Sequence, residues 1–153
     1  MEWVYDRTQA DVERVKVLND KYAAGTISEE EKMEWAAGMK GALNVADLNR
    51  IESNIREIAE TLAVSVTVKT WGANQIPRVS DFKRIRDNVQ RIREAWSALK
   101  DTPATPDPPL TTYQKWNAIE RILHDVKYVY DRVVGSYYYC GDEIYAGEGI
   151  GIL

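Results

Sequence analysis

The apolar positions of this chain fall into stripes at helical spacing, broken by short stretches of a different period. The clearest stripe is Leu48, Ile51, Ile55, Ile58 and Leu62, one face of a helix over roughly 45–62. Gly41 marks a turn before it, and Asn44 or Ala46-Asp47 supplies the cap. Ser80 or Asp81 caps the next helix, which carries Phe82, Ile85, Val89, Ile92 and Trp96. Thr111 or Thr112 opens the last one, with Trp116, Ile119, Leu123, Val126 and Val129 or Tyr130, ending before Gly135. Upstream, Thr8 with Asp11 starts a helix through Val12, Val15 and Leu18 or Asn19 that stops at Gly25. Ser28 before Glu29-Glu30-Glu31 is a capping-box signal for a short helix carrying Met33, Trp35 and Ala36 and ending near Gly38. The three glutamates there are read as capping residues, not as metal or catalytic ligands.

Two stretches change period. In 64–69, Val64, Val66 and Val68 alternate with Ser65, Thr67 and Lys69, the pattern of a half-buried strand. Near 137–146, Tyr137-Tyr138-Tyr139 and Tyr145 flank Gly141-Asp142, a hairpin pattern. An isolated hairpin is marginal in water, so 64–69 is its expected partner. Residues 101–110 hold four of the five prolines and read as a stiff crossover, not a domain boundary. The expected fold is mainly α: one domain over 1–153, a bundle of about four helices, a small antiparallel sheet, and a β-hairpin tail over 136–153.

The stripes superpose at a spacing of 34: Leu48 on Phe82 and Trp116, Ile51 on Ile85 and Ile119, Ile55 on Val89 and Leu123. That is the tetratricopeptide period, but the unit has one long helix and lacks the small-residue signature. Bundle-core periodicity accounts for the apolar matches. The polar matches go further: Asn49-Arg50-Ile51-Glu52 with Asn117-Ala118-Ile119-Glu120, and Asn54 with Asn88. These predict buried, paired groups that specify the bundle.

Composition adds limits. The chain has 153 residues, 44% hydrophobic and 29% charged, which suits one packed domain. A net charge of -4 disfavours nucleic acid and anionic membranes as partners. No apolar run is long enough for a membrane span, and the start lacks the pattern of a signal peptide. Synthesis and folding in a cytoplasm are expected.

No catalytic constellation is visible. His124 is the only histidine and Cys140 the only cysteine; the pair would need the tail to fold back, and Asp125 is expected to point away from His124. Glu52 and Glu120 lack the Glu-x-x-His pairing of metal-carboxylate bundles, so no metal, cofactor or catalytic residue is assigned. Lys83, Arg84, Arg86, Arg91 and Arg93 on helix 81–97 read as a solvated face, with a small regulatory module contacting nucleic acid or protein as the alternative. Five Trp and nine Tyr against one Phe is the distinctive signal. Such amphipathic rings favour interfaces, and Trp3, Tyr5, Tyr128, Tyr130, Tyr137, Tyr138, Tyr139 and Tyr145 are the candidate interface residues.

Three segments carry a resemblance: Asp6-Arg7-Thr8-Gln9-Ala10-Asp11-Val12; Gly38 to Asn44 running into Asp47-Leu48-Asn49-Arg50-Ile51-Glu52; and the tail Tyr139-x-Gly141-x-x-x-Tyr145-Ala146-Gly147-Glu148. Together they resemble small structural proteins from phage and prophage tail modules of Gram-positive gut bacteria. The resemblance implies a non-enzymatic, virion-associated protein, such as the mounting segment of a fibre or baseplate component. Its implied partners are other tail or baseplate proteins, and the Trp and Tyr excess adds further copies of the chain itself. A trimer through helix faces or the tyrosine-rich tail is the expected form.

Overall fold

Local signals set the helix starts. The computed structural model describes residues 1–137, which form five helices and no strand: α1 (Gln9–Ala23), α2 (Glu29–Ala36), α3 (Val45–Thr61), α4 (Val79–Ala95) and α5 (Tyr113–Gly135). Thr8 with Asp11, Ser28 with Glu31 and Asn44 with Asp47 each close a reciprocal capping box. Thr112 caps α5. At α4 the expected cap is displaced. The helix starts at Val79, and Asp81 sits in its first turn, accepting the Arg78 N–H at 2.9 Å.

The core lies between α3, α4 and α5, which pack pairwise. Ile51, Ile55, Ile58, Ile85, Val89, Ile92, Ile119, Leu123 and Val126 fill it, which are the superposed stripe positions of the sequence. Each such side chain contributes about 1.5–3 kcal/mol by leaving water. The bundle therefore has three helices where about four were expected. The remaining pair stands outside: α1 buries only Leu18, and α2 buries nothing. These two helices hold each other through Arg14 to Glu34, Trp35 Nε1 to Asn19 at 2.9 Å, and the Tyr22–Trp35 stack at 5.1 Å. The loop that follows abuts α1 so closely that a Cβ on Gly41 would fall 2.2 Å from the Asp11 carbonyl oxygen.

The expected sheet is the main correction. Residues 64–69 alternate in burial as predicted, with the valines half-buried, but among the described residues they pair with no strand. The hairpin near 137–146, apart from Tyr137, lies outside the described residues. Helix side chains supply partners to the backbone of this segment. Asn88 donates to the Thr67 carbonyl at 2.7 Å and Arg91 to the Ser65 carbonyl at 3.3 Å. Glu52 accepts the Lys69 N–H at 3.3 Å, and Asn49 pairs with both the N–H and the C=O of Trp71. A buried backbone needs partners of either kind.

Two other extended segments lie in the remaining grooves. Residues 2–7 run between α3 and α5: Asn54 donates to the Glu2 carbonyl, Glu120 accepts the Val4 N–H, and Asn117 pairs with both polar groups of Arg7. Residues 102–110 run between α4 and α5, touching Asp125, Arg93, Arg86 and Trp116 in turn. In every case the segment number rises as the helix number falls. Each strap is thus antiparallel to both of its helices, and α3, α4 and α5 all point the same way. The repeated unit is a strap followed by a helix, with α1 and α2 inserted into the first.

Candidate functional site

The matched polar residues meet in two buried charge clusters. Glu120 is fully buried and receives Arg7 Nη2 at 2.9 Å, Arg50 Nη2 at 2.9 Å and the Val4 N–H at 2.9 Å. Asp47 joins Arg7 at 3.2 Å and Arg50 at 2.7 Å. Burial disfavours the charge on Arg50, but Glu120 and Asp47 outweigh that, and its pKa lies above the ordinary arginine value. The second cluster is Glu52 with Arg84 and the Trp71 indole N–H, where the Glu52 contact raises the Arg84 pKa. Both glutamates are spent on straps and arginines. They carry the structural role expected of bundle-specifying groups.

The aromatic candidates divide. Trp3 and Tyr5 alternate along the first strap and reach the same side of it. There they meet His124: Trp3 edge-on at 5.6 Å, Tyr5 tilted at 5.1 Å, and Tyr128 stacked at 6.1 Å. Arg121 lies over the Tyr5 ring at 5.3 Å. Arg132 lies over Tyr128 at 5.6 Å and donates to its hydroxyl at 3.2 Å. Tyr130 is not in this group; it packs on Trp96 at 5.4 Å. Tyr137 is exposed beyond the end of α5. Tyr138, Tyr139, Tyr145 and the Cys140 of the weighed Cys140–His124 pair lie outside the described residues.

His124 is the hub that sequence reasoning missed, and the expected separation from Asp125 is corrected. His124 Nδ1 lies 2.8 Å from Asp125 Oδ1, because the half-exposed ring bends back over the short, buried carboxylate. The other Asp125 oxygen takes Thr102 Oγ1 at 2.7 Å and Arg121 Nε at 2.8 Å. Burial pushes the Asp125 pKa up, but the bonds from Arg121, Thr102 and His124 prevail and hold it below the ordinary aspartate value. One signal could have found this patch: residues 121, 124 or 125, 128 and 132 recur at helical spacing on the outer face of α5.

The basic helix is less free than its composition suggests. Arg84 binds Glu52 and the Thr67 carbonyl, Arg91 the Ser65 carbonyl, Arg86 the Pro106 carbonyl and Arg93 the Pro103 carbonyl. These guanidinium groups fasten straps. Among the described residues, no cluster of three His, Cys, Asp or Glu side chains could hold a metal ion, and no helix is long and apolar enough to cross a membrane. Compared with protein-family models, curated proteins and solved structures, the chain matches none.

Proposed function

We propose that this chain is a structural component of a phage or prophage tail that works by protein–protein assembly and performs no catalysis. The observation that carries the assembly role is the patch of Trp3, Tyr5 and Tyr128 around His124, flanked by Arg121 and Arg132. Aromatic and arginine side chains are the groups that dominate interface energetics. A second exposed apolar group, Val17, Tyr22, Met33 and Trp35, lies on α1 and α2. The tail setting rests on the three resembling segments, and the partners are other tail or baseplate proteins and further copies of the chain, in a trimer.

Two measurements test this. Mass spectrometry of purified particles from a lysogen carrying the gene is expected to find the chain in the virion. Light scattering at high micromolar concentration is expected to return an oligomer, weakened about tenfold or more by Tyr128→Ala, as hot-spot truncation would do. Particles without the chain overturn the tail setting. A monomer at every concentration overturns the self-assembly.

A further inference from the structure

The three grooves differ in how their straps are attached. The second strap (64–71) follows directly from α3 and the third (102–110) directly from the end of α4. The first, residues 2–7, reaches α3 only through residues 8–44, which contain α1 and α2. That connection buries little, since Leu18 is the only buried side chain of its two helices, and it closes back on the strap where Lys40 pairs with Asp6, while Gly41 packs against Asp11.

The groove it fills is the opposite. Glu120, Asp47 and Asn54 are buried there, and the strap supplies partners to all three: Arg7 Nη2 to Glu120 and Asp47, the Val4 N–H to Glu120, and the Glu2 carbonyl to Asn54. Asn117 spends both ends of its amide on Arg7. An empty groove would leave these groups desolvated and unpaired, so some strap must lie in it. None of these contacts depends on which copy of the chain supplies the strap.

We propose that copies of this chain join by strap exchange: residues 2–7 of one copy fill the α3–α5 groove of the next, with the α1–α2 hairpin as the crossing arm. The occupant is a second copy because the contacts that hold residues 2–7 here are the ones it would make, down to the double pairing of Asn117 with Arg7. Exchange has to open the Lys40–Asp6 and Gly41–Asp11 contacts but exposes little buried surface of the two helices, which suits domain swapping. The same arm carries Val17, Tyr22, Met33 and Trp35 on its surface, where crossing arms would cover them. The inference rests on the assembly reading above and gives it a mechanism.

Two single-cysteine chains test it, Glu2→Cys and Ser53→Cys, each in a Cys140→Ser background. Both sites are exposed, and position 53 precedes the Asn54 that binds the Glu2 carbonyl. The chains are refolded together at high micromolar concentration, diluted and treated with a short bismaleimide. Exchange predicts a covalent heterodimer as the main cross-linked product, absent when the two are folded separately and then mixed briefly. Oligomers by light scattering with no heterodimer overturn strap exchange and leave the assembly reading standing. Monomers throughout overturn both. A chain carrying both cysteines that cross-links only within itself, although oligomeric, also overturns the exchange.

Discussion

The first two grooves and the third solve one problem with opposite chemistry. Straps 2–7 and 64–71 have backbone N–H groups to satisfy, and the facing helices meet them with Asn49, Glu52, Asn117 and Glu120. The third strap contains Pro103, Pro106, Pro108 and Pro109, none of which has an N–H. Its carbonyls still need donors, and Arg86, Arg93, Lys115 and the Trp116 indole provide them. The matched position explains the odd residue: where α3 has Glu52 and α5 has Glu120, α4 has Arg86. The polar residue on a helix is dictated by the inventory of the strap it faces.

Breaking this comparison begins with Glu120. Glu120→Gln removes the charge between Arg7 and Arg50, and about 3–5 kcal/mol should be lost, as when one partner of a buried ion cluster is deleted. Arg93→Ala in the third groove removes one half-buried donor and should cost about 1 kcal/mol. Urea unfolding followed by circular dichroism measures both. Equal losses would mean that the grooves do not differ as described.

Asn117→Ala gives a smaller effect of the same kind. It strips both backbone groups of Arg7 of their partner and should cost about 1–3 kcal/mol. Asn49→Ala should do the same at Trp71, since its amide is used in the same way. A much smaller loss at either site would show that water replaces the amide freely.

The third groove is tested by pH, through Asp125. Its folded pKa is below the ordinary aspartate value of 3.8, so the folded state binds the proton less readily than the unfolded chain. Its contribution is therefore complete above that value and is lost as pH falls through the lower, folded one. Asp125→Asn should flatten the loss of stability on acidification below about pH 4, measured by thermal unfolding at stepped pH. An unchanged slope would remove Asp125 from the account of how Thr102 is held.

Much of this body was legible, and the limits have physical causes. Cap boxes at Thr8, Ser28 and Asn44 are local, so they could be read off, and the apolar stripes gave the core through Ile51, Ile85 and Ile119. The alternation in 64–69 was read as a half-buried strand; the half-burial of Val64, Val66 and Val68 holds, but no strand forms among the described residues. The helix side chains that bond to its backbone were not foreseen, because period reports which face is covered and says nothing of what satisfies the edge. Asn49, Glu52, Asn117 and Glu120 stood out by repetition, but their strap partners lie 17–116 residues away, and no local pattern carries such pairings. The aromatic patch was named in part. Trp3, Tyr5 and Tyr128 were found by residue type, whereas His124 was not, since an adjacent Asp on a helix is not expected to share its direction.

The smallest effect sharpens the point where the second strap leaves α3. Ala63 has φ +54°, while the corresponding position after α1 is Gly25 at φ +69°. Both helix ends make the same paired closure: the Val64 N–H reaches the Ala59 carbonyl at 2.8 Å, and the Thr26 N–H reaches the Lys21 carbonyl at 2.9 Å. A left-handed residue with a Cβ costs about 1–2 kcal/mol, which Gly avoids. Glycine also loses more backbone entropy on folding, about 0.5–1 kcal/mol, so the net gain from Ala63→Gly should be up to about 1 kcal/mol. Urea unfolding should show a higher midpoint at an unchanged m-value. A loss of stability would mean that the methyl of Ala63, exposed as it is, helps to set the direction in which the strap turns back along α3 and α4.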